Sequence, residues 1–305
     1  MKAHFFTLFA GLVFLAGSPA LRADRLVPSP LRILRLEDGL RFGLIGDCRL
    51  RRAATLFVFE GSLEDAEREP VYTEVARILS RHGFLGVVLD APAHGEDHRA
   101  GEPPELEGWR ARLDQGEDLV GPFTQKARAV LAYLVKEGCT DPERIVACGT
   151  SRGGFLAFHF AAAEPRVKLV AGISPVVDLM ALREFRGASR RALAEKLSLI
   201  RLAPSLGNRP VWLSVGNHDL RVDTDQTIAF ARALVWARTG PGDRDAVIPV
   251  ELLVCPTKGH TNIDDAHGLL AAWILRQFGM PAAGPACGTG DDEADANPSA
   301  PKMHE

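Results

Sequence analysis

Three residues in this 305-residue sequence are of types that together can carry out acyl transfer: Ser151, Asp219 and His260. Ser151 sits in Gly149-Thr150-Ser151-Arg152-Gly153, a G-x-S-x-G spacing. A serine hydroxyl attacks a carbonyl only when a neighbouring base removes its proton. That base works best when a carboxylate fixes its tautomer and stabilises its charged form. The order serine, acid, histidine along the chain is one in which such a triad occurs. Taken alone, the pentapeptide is equally a glycine-rich turn whose serine caps a helix, so the partners decide.

Asp219 lies in Gly216-Asn217-His218-Asp219-Leu220-Arg221-Val222 and His260 ends Cys255-Pro256-Thr257-Lys258-Gly259-His260. Each follows an apolar run of strand type, and ligands bind beyond the carboxyl ends of strands in open α/β sheets. Asp178, Asp223 and Asp225 are the competing acids. The last two suit the first turn of a helix, where negative charge is favourable. His218 and His267 are the competing bases, one next to the acid and one inside a helical pattern. A tetrahedral intermediate needs two hydrogen-bond donors for its oxyanion. The backbone amide of Arg152 is the first, and the loop Glu60-Gly61-Ser62 offers the second, with Ser62 favoured. Gly61, His94, Trp109 and Phe155 are the candidate substrate-contacting residues, with Trp109 equally suited to packing its own loop.

To position these groups, strand-like and helix-like runs alternate from residue 31 onward. Residues 31–36 and 40–45 flank Asp38-Gly39, a hairpin signal. Short apolar runs at 55–60, 85–90, 145–148, 167–173, 211–215 and 250–255 read as buried strands. Between them lie helical patterns from Pro70 to Gly83, up to about Lys136, and at 153–163, 223–239 and 263–278. A Gly/Pro-rich loop is expected over 91–116. Alternation of this kind implies a mostly parallel sheet of about eight strands covered by helices on both faces. Residues 174–210 are too long for a plain connection and read as a small helical insertion. Their arginines, Arg183, Arg186, Arg190, Arg191, Arg201 and Arg209, are interspersed with Glu184 and Glu195, as on a solvated face.

Composition is that of a globular protein, 46% hydrophobic and 25% charged, and a net charge of -3 argues against a nucleic-acid partner. Residues 1–23 have the order of a secretory signal peptide: Lys2, an apolar run from Phe5 to Ala16, then small residues with cleavage after Ala20 or Ala23. The run is shorter than the ~20 residues that a membrane span needs. The expected location is therefore secreted or periplasmic, with no stable membrane span. Five cysteines leave at least one unpaired within the chain. Cys148 and Cys255 read as core residues, Cys48, Cys139 and Cys287 lie in looser surroundings, and a disulfide is allowed. Residues 24–280 form the expected catalytic domain, and the tail 281–305, poor in large apolar residues, is expected to be disordered.

The elbow Gly-Thr-Ser-Arg-Gly-Gly, the segment Gly-Asn-His-Asp-Leu-Arg-Val and the segment Lys-Gly-His resemble the α/β-hydrolase superfamily, more narrowly its dienelactone-hydrolase-like and prolyl-oligopeptidase-like branches. The resemblance covers about residues 30 to 278. It implies an α/β-hydrolase fold and a structural role for Asp90, in the loop Asp90-Ala-Pro-Ala-His94-Gly95. Many relatives carry His-Gly at the oxyanion loop where this chain has Glu60-Gly61, and the peptidase branch normally carries a propeller for which this chain has no room.

These readings converge on an exported serine hydrolase acting on a small-molecule ester, with Ser151 as nucleophile, His260 as base and Asp219 as acid. The chemistry requires neither a metal nor an organic cofactor. A small peptidase or amidase acting on short peptides with the same triad is the alternative enzyme, and a non-catalytic binding protein of the same fold is the alternative class.

Overall fold

In the computed structural model, which describes residues 30–239 and 247–281, one sheet of eight strands carries the chain. The strands are β1 (Arg32–Arg35), β2 (Arg41–Ile45), β3 (Ala53–Phe59), β4 (Leu85–Val88), β5 (Thr140–Thr150), β6 (Val167–Ile173), β7 (Val211–Gly216) and β8 (Val250–Cys255). Their spatial order is β1-β2-β4-β3-β5-β6-β7-β8. β2 pairs antiparallel with both β1 and β4, and every other pairing is parallel. This is the mostly parallel sheet that the alternating runs and the resemblance imply.

The helices are α1 (Leu63–Arg68), α2 (Glu74–Ser80), α3 (Glu105–Asp114), α4 (Gly121–Lys136), α5 (Arg152–Ala163), α6 (Arg191–Lys196), α7 (Leu199–Leu202), α8 (Thr224–Arg238) and α9 (Ala266–Gln277). Strand periodicity divides the core in two. Phe57, Phe59, Ile145, Ala147, Leu213 and Val215 point to one face, where they meet α3, α4, α5 and α8. Their alternates Leu56, Val58, Val146, Cys148 and Trp212 point to the other and meet α2 and α9. A parallel sheet must be covered on both faces, because its strands are apolar on both.

Two helices were not expected. α3 lies within the stretch read as a loop. Leu106, Trp109 and Leu113 recur at helical spacing there and are buried, but the charged residues between them and the flanking Gly and Pro hide the pattern. α1 is a single capped stretch of six residues, too short to show periodicity. The helix expected from Pro70 begins as a 3-10 turn over Pro70–Thr73 and becomes α2 at Glu74. Between β6 and β7 the chain forms short helical turns, including α6 and α7, in line with a small helical insertion.

Asp90 accepts the Leu63 amide at 2.8 Å and the Arg41 guanidinium at 2.9 Å, so it ties the β4 end to α1 and β2. Cys48 and Cys139 form a disulfide across a sequence separation of 91. Cys148 is buried as expected, whereas Cys255 is only half-buried because β8 is an edge strand. Residues 1–23, Cys287 and the tail beyond Pro281 lie outside the described residues. Among the described residues no helix is long and apolar enough to cross a membrane.

Candidate active site

Ser151 is the single residue between β5 and α5, and its backbone is in a region that side chains avoid, with φ 54° and ψ -116°. Two hydrogen bonds hold it there. Its amide donates to the Ile173 carbonyl at 2.9 Å, and its own carbonyl accepts from the Val176 amide at 2.9 Å. The turn is possible only because its flanks are glycine. A Cβ on Gly149 or on Gly153 would overlap the Phe59 carbonyl oxygen, and one on Gly154 would come within 2.8 Å of Pro175. The Ser151 side chain makes no capping hydrogen bond to α5, so its hydroxyl is not used to terminate the helix. Strained backbone over-determined by its surroundings clusters at functional sites.

The hydroxyl faces His260 instead. His260 Nε2 lies 3.1 Å from Ser151 Oγ, and His260 Nδ1 lies 2.7 Å from Asp219 Oδ2. A carboxylate only accepts, so Nδ1 carries the proton and Nε2 of the neutral ring is the acceptor for the serine hydroxyl. Asp219 is 1% exposed, and its second oxygen accepts the amides of Arg221 at 2.9 Å and Val222 at 3.2 Å. Burial acts to raise its pKa, but the bond from His260 and those two amides outweigh it and hold the carboxyl below its ordinary value. The competing residues are occupied elsewhere. Asp178 caps Met180, Asp223 caps Asp225 at the start of α8, and His267 bonds Glu74.

Two donors were expected for an oxyanion. The Arg152 amide opens α5 and makes no backbone hydrogen bond among the described residues. Ser62 is a correction. Its amide donates to Asp65 Oδ2 at 3.3 Å and its hydroxyl accepts from the Asp65 amide at 3.0 Å, a capping box that starts α1. The donor left in that loop is the Gly61 amide, which has no partner among the described residues. Gly61 adjoins both the Arg152 guanidinium and His94, since a Cβ there would stand 3.4 Å from each.

Glu60, the residue that departs from His-Gly, is buried and accepts the Thr150 amide at 3.0 Å. Burial pushes its carboxyl up to about 8, against the opposing pull of the Thr150 hydrogen bonds and of Arg152. Arg152 does not pair with it; its guanidinium bonds Glu105 across the cleft mouth.

The cleft that opens over Ser151 and His260 has a volume of about 390 Å³. Val71, Tyr72 and Leu106 form an apolar wall, and Glu60, Arg152, Arg221, Asn262 and His267 supply polar groups. Trp109 and Phe155 do not belong to it. Both are fully buried and pack on each other in the core at 5.8 Å between ring centres, so the expectation that they contact substrate is corrected. The Trp109 indole donates to the Pro92 carbonyl, the loop-packing role. His94 is 4% exposed; its Nδ1 donates to Pro92 at 2.7 Å while its Nε2 is buried without a partner among the described residues. Burial, with Arg152 nearby, lowers its pKa and keeps it neutral. Val71, Tyr72, Leu106 and Asn262 escaped the sequence reading, because α3 and the Pro70 turn gave no signal of facing a cleft. Among the described residues no group of His, Cys, Asp and Glu could hold a metal ion.

The sequence profile of the prolyl oligopeptidase family matches residues 124–281, just over half of the chain. "Putative hydrolase YtaP" of Bacillus subtilis is 24% identical over 174 residues, 55% of this chain and 57% of its own length. The chain thus aligns with little more than half of that relative. Two solved structures share the fold to the same degree. A Mycobacterium tuberculosis puromycin-hydrolyzing peptidase has a TM-score of 0.59 and 17% identity, over 81% of this chain and 40% of its own. An acetyl xylan esterase from Paenibacillus sp. R4 has a TM-score of 0.59 and 16% identity, over 81% of this chain and 88% of its own.

Proposed function

This chain belongs to the prolyl oligopeptidase family, a premise from which we propose that it is an exported serine hydrolase that cleaves a carboxylic ester through an acyl-enzyme. The observation that carries the reading is the unbroken relay from Asp219 through His260 to Ser151, with contacts of 2.7 and 3.1 Å.

Ser151 Oγ attacks the ester carbonyl as His260 Nε2 takes its proton. Asp219 orients the imidazole and stabilises the imidazolium that forms. The negative charge that develops on the carbonyl oxygen is met by the Arg152 amide and, from the facing loop, the Gly61 amide; one such donor is worth ~3 kcal/mol. The imidazolium then protonates the departing alcohol, leaving an ester on Ser151. Water activated by His260 attacks that ester, and the acid leaves with Ser151 restored.

A cleft of about 390 Å³ with an apolar wall suits a short acyl group. Export is supported by the N-terminal composition and by the Cys48–Cys139 disulfide, a bond that persists in oxidising compartments. Peptide or amide hydrolysis by the same residues is the second reading, since the puromycin-hydrolyzing peptidase is as similar in fold as the acetyl xylan esterase.

A fluorophosphonate probe tests the mechanism on the mature protein. Labelling of the wild type and none of Ser151→Ala is the expected result. A well-folded wild type that resists the probe overturns it. A panel of p-nitrophenyl esters against aminoacyl p-nitroanilides then separates esterase from peptidase.

A further inference from the structure

Arg238 ends α8 with its guanidinium turned into the protein, and all three of its nitrogens are buried without a hydrogen-bond partner among the described residues. Burial lowers its pKa, and among the described residues the one charge acting on it is Arg209, of the same sign. A buried cation with neither a counter-ion nor an acceptor is strongly unfavourable, because it has given up water for nothing.

Arg209 stands just before β7. Its Nε donates to the Val167 carbonyl at 2.7 Å and its Nη1 to the Leu206 carbonyl at 2.7 Å, which pins the fork and leaves Nη2 without a partner among the described residues. Among the described residues the one carboxylate acting on Arg209 is Glu164, and that group is already shared by Arg166 at 2.8 Å and Arg128 at 3.3 Å. Three guanidiniums therefore share a single carboxylate among the described residues, and the charge of Arg238 adds to that of Arg209. They lie where β6 and β7 begin, the sheet edge opposite the one that presents Ser151, Asp219 and His260.

We propose that Arg209 and Arg238 form a binding site for a small tetrahedral oxyanion of the phosphate class, remote from the cleft. A carboxylate has two oxygens and satisfies one guanidinium fork. A phosphate has enough to accept from both forks at once, and planar guanidinium groups match its geometry. Arg238 as a whole residue is only half-buried, so the ligand enters from the surface by a turn of the long side chain. The site is independent of the hydrolase reading.

The test is thermal unfolding of the wild type, Arg238→Gln and Arg209→Gln in sodium phosphate against sodium chloride of equal ionic strength. The wild-type midpoint rises by about 3 °C at tenfold the dissociation constant of phosphate, and chloride does not reproduce the rise. Arg238→Gln has a higher midpoint than wild type without phosphate, since an unpaired buried charge is gone, and no longer responds to phosphate. Should Arg238→Gln fail to fold, broadening of the phosphorus resonance of inorganic phosphate by wild type, reduced in Arg209→Gln, reads the same site. A wild type that responds equally to both salts, or an Arg238→Gln that keeps the phosphate response, overturns the proposal. So does a result in which phosphate is inert and Asp243→Asn or Asp245→Asn destabilises the protein, for then the counter-charge comes from the chain.

Discussion

The carboxyl of Glu60, at the end of β3, accepts the backbone amide of Thr150, the residue before Ser151, at 3.0 Å. An acidic side chain thus braces the turn at Ser151 from the neighbouring strand while itself buried with no paired cation among the described residues. Its protonation state and the integrity of the turn are therefore linked.

Glu60→Gln should stabilise the protein at alkaline pH. Burial raises the folded pKa of Glu60 to about 8 from an ordinary 4.5. The folded state then holds the proton more tightly than the unfolded chain. The carboxyl's contribution is fully present below about 4.5 and is lost as pH rises through about 8. Urea unfolding at pH 5 and pH 9 checks this. The wild type should lose about 3–5 kcal/mol relative to Glu60→Gln across that interval, whereas parallel pH dependences of the two proteins would contradict the burial argument.

Asp219→Asn should lower kcat for an activated ester by about a thousandfold or more, because the amide can present the wrong group to His260 Nδ1 and no longer stabilises the imidazolium. The same variant carries a stability signature. The Asp219 carboxyl is held below its ordinary value, so its contribution is present above the unfolded pKa and lost as pH falls through the folded one. The acid-unfolding curve of Asp219→Asn should accordingly be shallower than that of wild type below about pH 4.

Gly153→Ala should be among the most damaging single-methyl additions in the chain. Its Cβ would overlap the Phe59 carbonyl oxygen and crowd the Glu60 amide, both backbone atoms that cannot rotate away. A loss of at least about 3 kcal/mol is expected, read by denaturant midpoint. The same substitution at the exposed Gly187, where nothing lies within 4 Å but φ is 74°, should cost only about 1 kcal/mol.

Cys48→Ser with Cys139→Ser, or reduction of the wild type, should lower stability by about 4 kcal/mol, the loop-closure entropy for residues 91 apart in sequence. The measurement is guanidinium unfolding with and without reductant. Cys148 and Cys255 are unpaired in the fold and should not contribute to the difference.

Much of this architecture could be read in advance, for reasons visible in particular residues. β6 coincides with the run at 167–173 because a strand covered on both faces is apolar at nearly every position, Lys168 excepted, whereas β8, a half-exposed edge strand, shows in the sequence through Val250, Leu252, Leu253, Val254 and Cys255 around Glu251. Ser151, Asp219 and His260 could be singled out because each follows such a run and their order along the chain is restrictive. α3 was missed because Glu105, Glu107, Arg110 and Arg112 dilute its three large apolar positions, Leu106, Trp109 and Leu113. Trp109 and Phe155 were assigned to the cleft on residue type alone. Both are large, and Phe155 follows Ser151 closely in sequence, but nothing in one dimension tells which way a ring points.

Local chemistry decided the elbow, the strands and which three residues are candidates for the reacting groups. Glycine at 149 and 153 and serine at 151 admit few other backbone paths, and an apolar run next to a helical pattern admits few other folds. Which atoms meet was decided in three dimensions. Ser151 and His260 are 109 residues apart and come within 3.1 Å only because β5 and the loop after β8 end on the same edge of one sheet. Ser62 lost its expected amide to Asp65, three residues on, while Gly61 kept its own. Glu60 became a neutral acid through burial, and Arg238 was left without a counter-charge among the described residues, with only the like charge of Arg209 acting on it. Hydrogen bonding, desolvation and charge pairing depend on distances between segments remote in sequence, and those distances exist only once the sheet has formed.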